Sequence, residues 1–303
     1  MASVLVCSEA HAGSASTEQT PVPEVNQERS YDDVRVDALV ESIRKEMMAN
    51  NMGRVPLLLL AAKQGNAKAC NIVGWAFDQG VGVAKKDSAK ALRWFESCAK
   101  KSALANYNAG VLYFEGRGTD KNEEKGSRYF RIAWAIGGPG FYGHVPQIPI
   151  RLAYFYGKRK SYSDEWYWAE KAASYNAKHG KYLVARMLVE RAAPVTDDAL
   201  ALGYLNSSVD AFSAPSASLL AWCYGTGRFS ERNYALAQEY DLIATKIDPR
   251  YRADTSTRWA GHISETVIGQ AERASSNWFS THTAPAPMDF VSTLIGTEDQ
   301  FKR

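Results

Sequence analysis

The sequence lacks an apolar run long enough to cross a membrane. Its longest, VPLLLLAA at residues 55–62, falls well short of the roughly 20 residues that a membrane-spanning helix needs. Cysteine is scarce too, because four in 303 residues do not make the disulfide framework of a small secreted domain. The net charge is only +3, and the densest basic runs, 85–86 and 158–160, are too short for a nucleic-acid-binding tract. We therefore expect no membrane span, no disulfide scaffold and no nucleic-acid partner.

Common catalytic and metal-binding motifs are missing as well. None of the five histidines lies in an HExxH motif, and the sequence contains neither GxSxG nor the GK[ST] ending of a phosphate-binding loop. His262 and Glu265 lie three residues apart, which is far more typical of a surface pair than of half a metal site. The sequence predicts no metal, no cofactor and no enzymatic activity.

The two ends of the chain differ from its middle. Residues 8–30 are rich in Ser, Ala, Glu, Gln and Pro, a composition that predicts a disordered leader or linker over residues 1–30. This segment fits either a cytosolic leader or the remainder of an export signal, and it would also suit a tether behind an N-terminal anchor. Residues 283–303 are predicted to form an irregular C-terminal tail.

A repeated block lies between these ends. VGWAFDQGVGV at 73–83 aligns with AGVLYFEGRGT at 109–119 at a constant offset, so that Gly74 matches Gly110 and Gly80 matches Gly116. Each block continues into a charged turn and a helical pattern of apolar residues. Weaker copies begin near residues 151, 184 and 220, and a degenerate pair precedes the first block at 32–65. The spacing is typical of helix–turn–helix repeats.

Each half of the repeat has a physical reason. A small residue such as Gly74 allows the partner helix to approach, and the Gly-x-Gly that follows supplies positive φ where the chain reverses. The second helix of a unit then opens with a capping residue. The predicted capping residues are Asp87 or Ser88, Ser163, Thr196 or Ser230.

This pattern resembles the Sel1-like repeat family, whose members are α/α-hairpin solenoids related to tetratricopeptide repeats. The resemblance is strongest over 66–137 and weaker over 215–246. The matching residues of the first unit are Ala69, Gly74, Phe77, Gly80, Gly82, Val83, Asp87, Ala91, Trp94, Phe95 and Ala99. The resemblance implies an all-α, right-handed superhelical solenoid of about six hairpins over residues 31–282.

A capping helix is predicted at the C-terminal end of the solenoid. Apolar residues recur there at helical spacing, which suits a helix that covers the last repeat. They are Trp259, Ile263, Val267, Ala271, Ala274 and Trp278.

Solenoids of this kind expose a groove lined by the first helix of each unit. The residue after the small packing residue is predicted to face it, and this column has the aromatic and arginine content of a binding hot spot. The column is Trp75, Val111, Tyr154, Arg186 and Trp222. The alternative is that these aromatics form the core between repeats, because a shift of one residue turns the column inward.

The segment GGPGFYGHVPQIP at 137–149 interrupts the repeat. Its four glycines and three prolines predict an irregular loop, and such loops often carry recognition residues. Phe141, Tyr142 and His144 are the second candidate set for binding a partner.

Cys70 and Cys98 lie on the two helices of one unit, near where some exported members of the family place a hairpin disulfide. Two buried thiols and a disulfide both remain open as interpretations, and a disulfide would indicate an oxidising compartment.

The resemblance implies a non-catalytic protein-binding module, with roles such as periplasmic adaptors, regulators of signalling receptors and immunity proteins against secreted toxins. We expect an exported bacterial protein, periplasmic or secreted, that acts as an adaptor or inhibits a toxin or enzyme. The alternatives are a cytoplasmic scaffold or signalling regulator and, against the absence of a nucleophile and base, a hydrolase of cell-wall or β-lactam substrates.

Overall fold

The structure is a computed structural model that describes residues 31–83, 85–144, 147–175, 178–251, 258–259 and 261–284. These residues form helices and connecting turns, with no strand among them. The predicted leader and nearly all of the predicted tail lie outside the described residues. The helices are α1 Tyr31–Met48, α2 Val55–Lys63, α3 Ala67–Gln79, α4 Ser88–Cys98, α5 Ala103–Glu115, α6 Glu123–His144, α7 Gln147–Lys158, α8 Tyr162–Ser174, α9 Lys178–Val189, α10 Asp198–Asp210, α11 Ala214–Thr226, α12 Tyr234–Ile247 and α13 Glu265–Thr281.

The helices pair into six consecutive hairpins, from α1 with α2 to α11 with α12, and α13 packs on α12. First helices of neighbouring units also contact each other: α3 with α5, α7 with α9, and α9 with α11. In the described part of the chain, the backbones of the second helices of neighbouring units do not approach each other as closely. The first helices therefore form the inner row of the solenoid, and the second helices form the outer row. The predicted helical-repeat solenoid is confirmed.

Glycines close the hairpins where the repeat predicted close packing. A Cβ atom added to Gly74 would lie 2.5 Å from Cε1 of Phe95, and one added to Gly110 would lie 2.7 Å from Cδ1 of Phe130. Both distances are shorter than van der Waals contact. The hydrogen atom of glycine thus lets an aromatic ring of the second helix lie directly against the backbone of the first.

The helix ends follow the predicted chemistry, with changes in individual caps. Gly80, Gly116 and Gly227 end their helices at φ of 79°, 67° and 74°, the left-handed conformation that glycine adopts at little cost. Asp87 caps α4 as expected, by accepting a hydrogen bond from the Lys90 amide at 2.8 Å. The other predicted caps were wrong by one to three residues. The observed N-cap residues are Ser161, Asp197 and Asn233, where Ser163, Thr196 and Ser230 were predicted.

The prediction of an irregular loop at 137–149 was wrong. The backbone of α6 continues as a helix to His144, and α7 begins at Gln147. Phe141, Tyr142 and His144 therefore lie on the last turns of a helix rather than on a loop. Glycine and proline are unfavourable in a helix interior by about 1 and 3 kcal/mol, but tertiary packing routinely outweighs such preferences. Helix α6 is anchored upstream by Phe130 and Ala133, which are fully buried.

The capping helix exists, but it starts later than its apolar pattern predicted. Val267, Ala271 and Trp278 lie on α13, whereas Trp259 and Ile263 precede it.

Trp259 has a packing role of its own. Its indole lies where a Cβ atom on Gly225 would approach within 2.0 Å, and its Nε1 donates a hydrogen bond to Oδ2 of Asp241 at 2.9 Å. The tryptophan side chain thus closes the α11–α12 hairpin, in addition to the cover that α13 provides.

Arginines that follow the capping glycines tie each unit to the one before it. Nη1 of Arg117 donates to both carboxylate oxygens of Asp78 at the end of α3, at 2.7 and 2.6 Å. Arg228 donates to the carbonyl oxygens of Leu188 and Val189 at the end of α9 and to Asp198. A cation at a helix C-terminus is also favoured by the helix dipole, so these arginines stabilise the stacking of units.

A second inter-unit contact lies on the outer row. Tyr113 and Tyr129 stack with ring centroids 5.6 Å apart, and both hydroxyls donate to Oε1 of Glu96, at 2.7 and 3.1 Å. Burial of Glu96 opposes ionisation, but these hydrogen bonds together with Lys125 outweigh it and lower the pKa of the carboxyl. The ionised carboxylate therefore joins α4 to the next hairpin.

Candidate partner-binding groove

The predicted groove column divides into an accessible part and a buried part. Tyr154 and Trp222 are 42% and 41% exposed, and the side chain of Arg186 is 26% exposed. They lie on α7, α11 and α9, the inner-row helices of the three later units. For these residues the structure fits the groove interpretation.

Trp75 belongs to the core instead. It is 6% exposed and lies in the apolar cluster that includes Val40 and Ile43 of α1. Val111 is half-buried. Because α1 and α2 pack at this end of the solenoid, the prediction that Trp75 faces an open groove is wrong, and the alternative core interpretation holds there.

The second candidate set stays a prediction. Phe141, Tyr142 and His144 lie on the end of α6, and their side chains are outside the described residues.

Arg186 is held in place by a buried carboxylate. Glu165 of α8 is 2% exposed and accepts a hydrogen bond from Nη2 of Arg186. A Cβ atom on Gly157 of α7 would lie 2.6 Å from Oε1 of Glu165, so the glycine provides the space that this carboxylate occupies. Burial raises the pKa of Glu165, and Arg186 offsets part of that shift by stabilising the charged form. Three helices thus fix the guanidinium at the inner row.

Two tyrosines lie near this guanidinium, and a third lies near those two. Tyr154 of α7, Tyr182 of α9 and Tyr251 of the short turn at Pro249–Tyr251 lie within electrostatic range of one another, and the first two also of Arg186. Burial raises the pKa of Tyr182 to about 12. Tyr182 was missed from the sequence, although its position four residues before Arg186 places both on one face of α9.

Cys70 and Cys98 form a disulfide between α3 and α4, with Cα atoms 6.2 Å apart. Both cysteines are buried, at 2% and 5% exposure. Cys223 is a buried free thiol, and burial raises its pKa to about 12.

Two other kinds of site were sought. Within the described ranges no three His, Cys, Asp or Glu side chains cluster so as to hold a metal ion. None of the helices in that part of the chain combines the length and apolar character needed to cross a bilayer.

Comparison with protein families identifies the repeat. The family model described as Sel1 repeat matches residues 67–102, 103–133 and 214–240. The chain carries Sel1 repeats. These matches correspond to the hairpins α3–α4, α5–α6 and α11–α12. The confirmed resemblance thus rests on the three units whose first helix ends at a capping glycine. Sel1 repeat proteins are generally non-catalytic protein-interaction modules.

One solved structure shows the same fold at low sequence identity. A Sel1 repeat protein from Oxalobacter formigenes is 16% identical and aligns over 86% of this chain and 100% of its own, with a TM-score of 0.58. A protective antigen of uropathogenic Escherichia coli that displays an SLR fold is 14% identical over 81% of this chain and 69% of its own, with a TM-score of 0.42. The comparison with curated proteins gives no match.

Proposed function

We propose that this Sel1 repeat protein is a non-catalytic binding module that recognises a protein partner through the inner surface of α7, α9 and α11. The observation that carries the proposal is the pair of exposed aromatics, Tyr154 and Trp222, on either side of the fixed Arg186. A few residues supply most of the binding energy in protein interfaces, and tryptophan, tyrosine and arginine are enriched among them. Large aromatic side chains that remain exposed to solvent do not gain the stabilisation that burial of their apolar area in an interface would give.

The position of this cluster within the solenoid supports the same proposal. It lies largely on α7 to α10, the two hairpins between the family-model matches. Those hairpins keep the architecture of the repeat while their inner-row side chains differ from the matched units. Repeated hairpins that present different side chains along one extended surface are typical of repeat proteins that bind other proteins.

We further propose that the protein works in an oxidising compartment, periplasmic or secreted, as an adaptor or as an inhibitor of a toxin or enzyme. The buried disulfide between Cys70 and Cys98 supports this compartment, because such bonds persist mainly outside the cytoplasm. The test is to quench cells of the native organism with acid, alkylate the free thiols under denaturing conditions because both cysteines are buried, and map each cysteine by mass spectrometry. Labelling of Cys70 and Cys98 without a reductant would refute the compartment.

The binding surface can be tested with matched double variants. Tyr154→Ala/Trp222→Ala removes the inner-row aromatics, and Tyr162→Ala/Tyr167→Ala removes two tyrosines of α8 on the outer row that are 48% exposed each. Both variants should keep the helical circular dichroism of the wild type, because all four side chains are solvent-accessible.

The expected result is that affinity capture from the native organism yields a partner with the wild type and the outer-row variant, and loses it with the inner-row variant. Equal capture by both variants would place the binding surface elsewhere and overturn the proposal.

A further inference from the structure

The guanidinium of Arg186 is only partly satisfied by the chain itself. A guanidinium has five N–H donors, and in the described part of the chain Arg186 makes one hydrogen bond, to Glu165. Its Nε is buried and has no hydrogen-bond partner. Because Nε is buried, the donors left for an incoming oxygen acceptor are those of Nη1, which makes no hydrogen bond within the described part of the chain, and the second N–H of Nη2.

The second carboxylate near Arg186 is held loosely. Oε2 of Glu190 lies 3.6 Å from Nη1, and its side chain is 52% exposed. That distance exceeds a hydrogen bond, and an exposed pair one helical turn apart contributes only about a twofold factor to an equilibrium. Glu190 therefore occupies the outward side of the guanidinium without binding it firmly.

We infer that Arg186 anchors a carboxylate of the partner peptide and that Glu190 is an internal competitor for the same position; this rests on the proposed function. The guanidinium fork matches a carboxylate in a two-point contact that Glu190 does not make. Glu165 keeps the arginine fixed from behind, and Glu190 turns to solvent when the incoming carboxylate takes its place.

The residues around Arg186 define the rest of the ligand. Tyr154 and Tyr182 lie near the guanidinium, Tyr251 lies near both tyrosines, and the exposed indole of Trp222 lies on the next inner-row helix. Such rings favour an apolar or aromatic residue next to the carboxylate. The ligand is thus a peptide segment in which a carboxylate, from a C-terminus or an acidic side chain, adjoins an apolar residue.

The experiment uses the full chain and a synthetic library of random peptides in matched forms. One form has a free C-terminal carboxylate, a second has a C-terminal amide, and a third also replaces every Asp and Glu by its amide. The first two forms distinguish a C-terminal source from a side-chain source, and the third lacks both. Arg186→Lys keeps the charge and removes the fork, and Arg191→Lys is the matched control at an arginine whose side chain is 55% exposed.

The expected result is selection of carboxylate-bearing peptides that bind at least about tenfold more weakly in the fully amidated form and to Arg186→Lys. Arg191→Lys should bind like the wild type, and Glu190→Gln should bind about twofold more tightly because the competitor is gone.

Three outcomes would overturn the inference: no loss on amidation, no peptide bound, or selection of lysine-rich peptides whose binding Glu190→Gln weakens. The last would make Glu190 a receptor for cations. If Tyr154→Ala/Trp222→Ala abolishes partner capture while Arg186→Lys does not, the groove stands and the carboxylate anchor falls.

Discussion

Replacing Gly74 by alanine tests how the hairpins close. The added Cβ would lie 2.5 Å from Cε1 and 2.7 Å from Cδ1 of Phe95, about 1 Å inside normal contact. Overpacking of this kind costs about 1–3 kcal/mol, whereas alanine gains up to about 1 kcal/mol over glycine in a helix interior. We expect a net loss of about 1–2 kcal/mol in the free energy of unfolding.

Gly203 provides the matched control for this variant. It lies in the interior of α10, is exposed, and a Cβ atom there would meet nothing within 4 Å. Gly203→Ala should therefore stabilise the protein by about 0.5–1 kcal/mol through helix propensity alone. Urea denaturation followed by circular dichroism measures both changes from the shift in midpoint. Equal stabilisation by the two variants would show that Gly74 does not hold the hairpin closed.

Three further changes probe the links between helices. Cys70→Ser/Cys98→Ser opens a crosslink of sequence separation 28 and should cost about 3–4 kcal/mol by loop entropy, so unchanged thermal unfolding would contradict the disulfide. Arg117→Met leaves the carboxylate of Asp78, a residue 5% exposed, without its arginine and should cost about 2 kcal/mol; the additional change Asp78→Asn should recover part of it. The lowered pKa of Glu96 means that its stabilisation is complete above the ordinary value of 4.5 and is lost as pH falls through the folded value. Glu96→Gln should weaken this acid dependence in pH-resolved denaturation, and an identical pH profile would refute it.

Local signals made the repeat predictable. The small residue Gly74 and the capping glycines act within one hairpin, so their spacing in the sequence fixes which helices pair and where they end. The family resemblance and the hairpin architecture follow from those positions. The irregular loop predicted at 137–149 failed for the opposite reason, because composition there is outweighed by the packing of the rest of α6.

Long-range contacts explain what the sequence did not predict. The hydrogen bonds that Arg117 and Arg228 make to the preceding unit join residues 39 and 40 positions apart. An arginine directly after the capping glycine in two copies of the repeat could have indicated them. Trp75 and Trp222 occupy the same predicted column, yet only Trp222 is exposed, because α1 and α2 cover the α3–α4 hairpin. Whether Cys70 reaches Cys98 depends on how closely α3 and α4 approach.

Site-specific photo-crosslinking tests the central claim most directly, since it reports contact rather than loss of binding. A photoreactive phenylalanine analogue that replaces Tyr154 lies within the proposed binding surface. The same analogue in place of Tyr167 lies on the outer row, at a tyrosine of similar exposure. We expect the captured partner to be crosslinked from position 154 and not from 167. Crosslinking from position 167 alone would contradict a partner surface on the inner row of the solenoid.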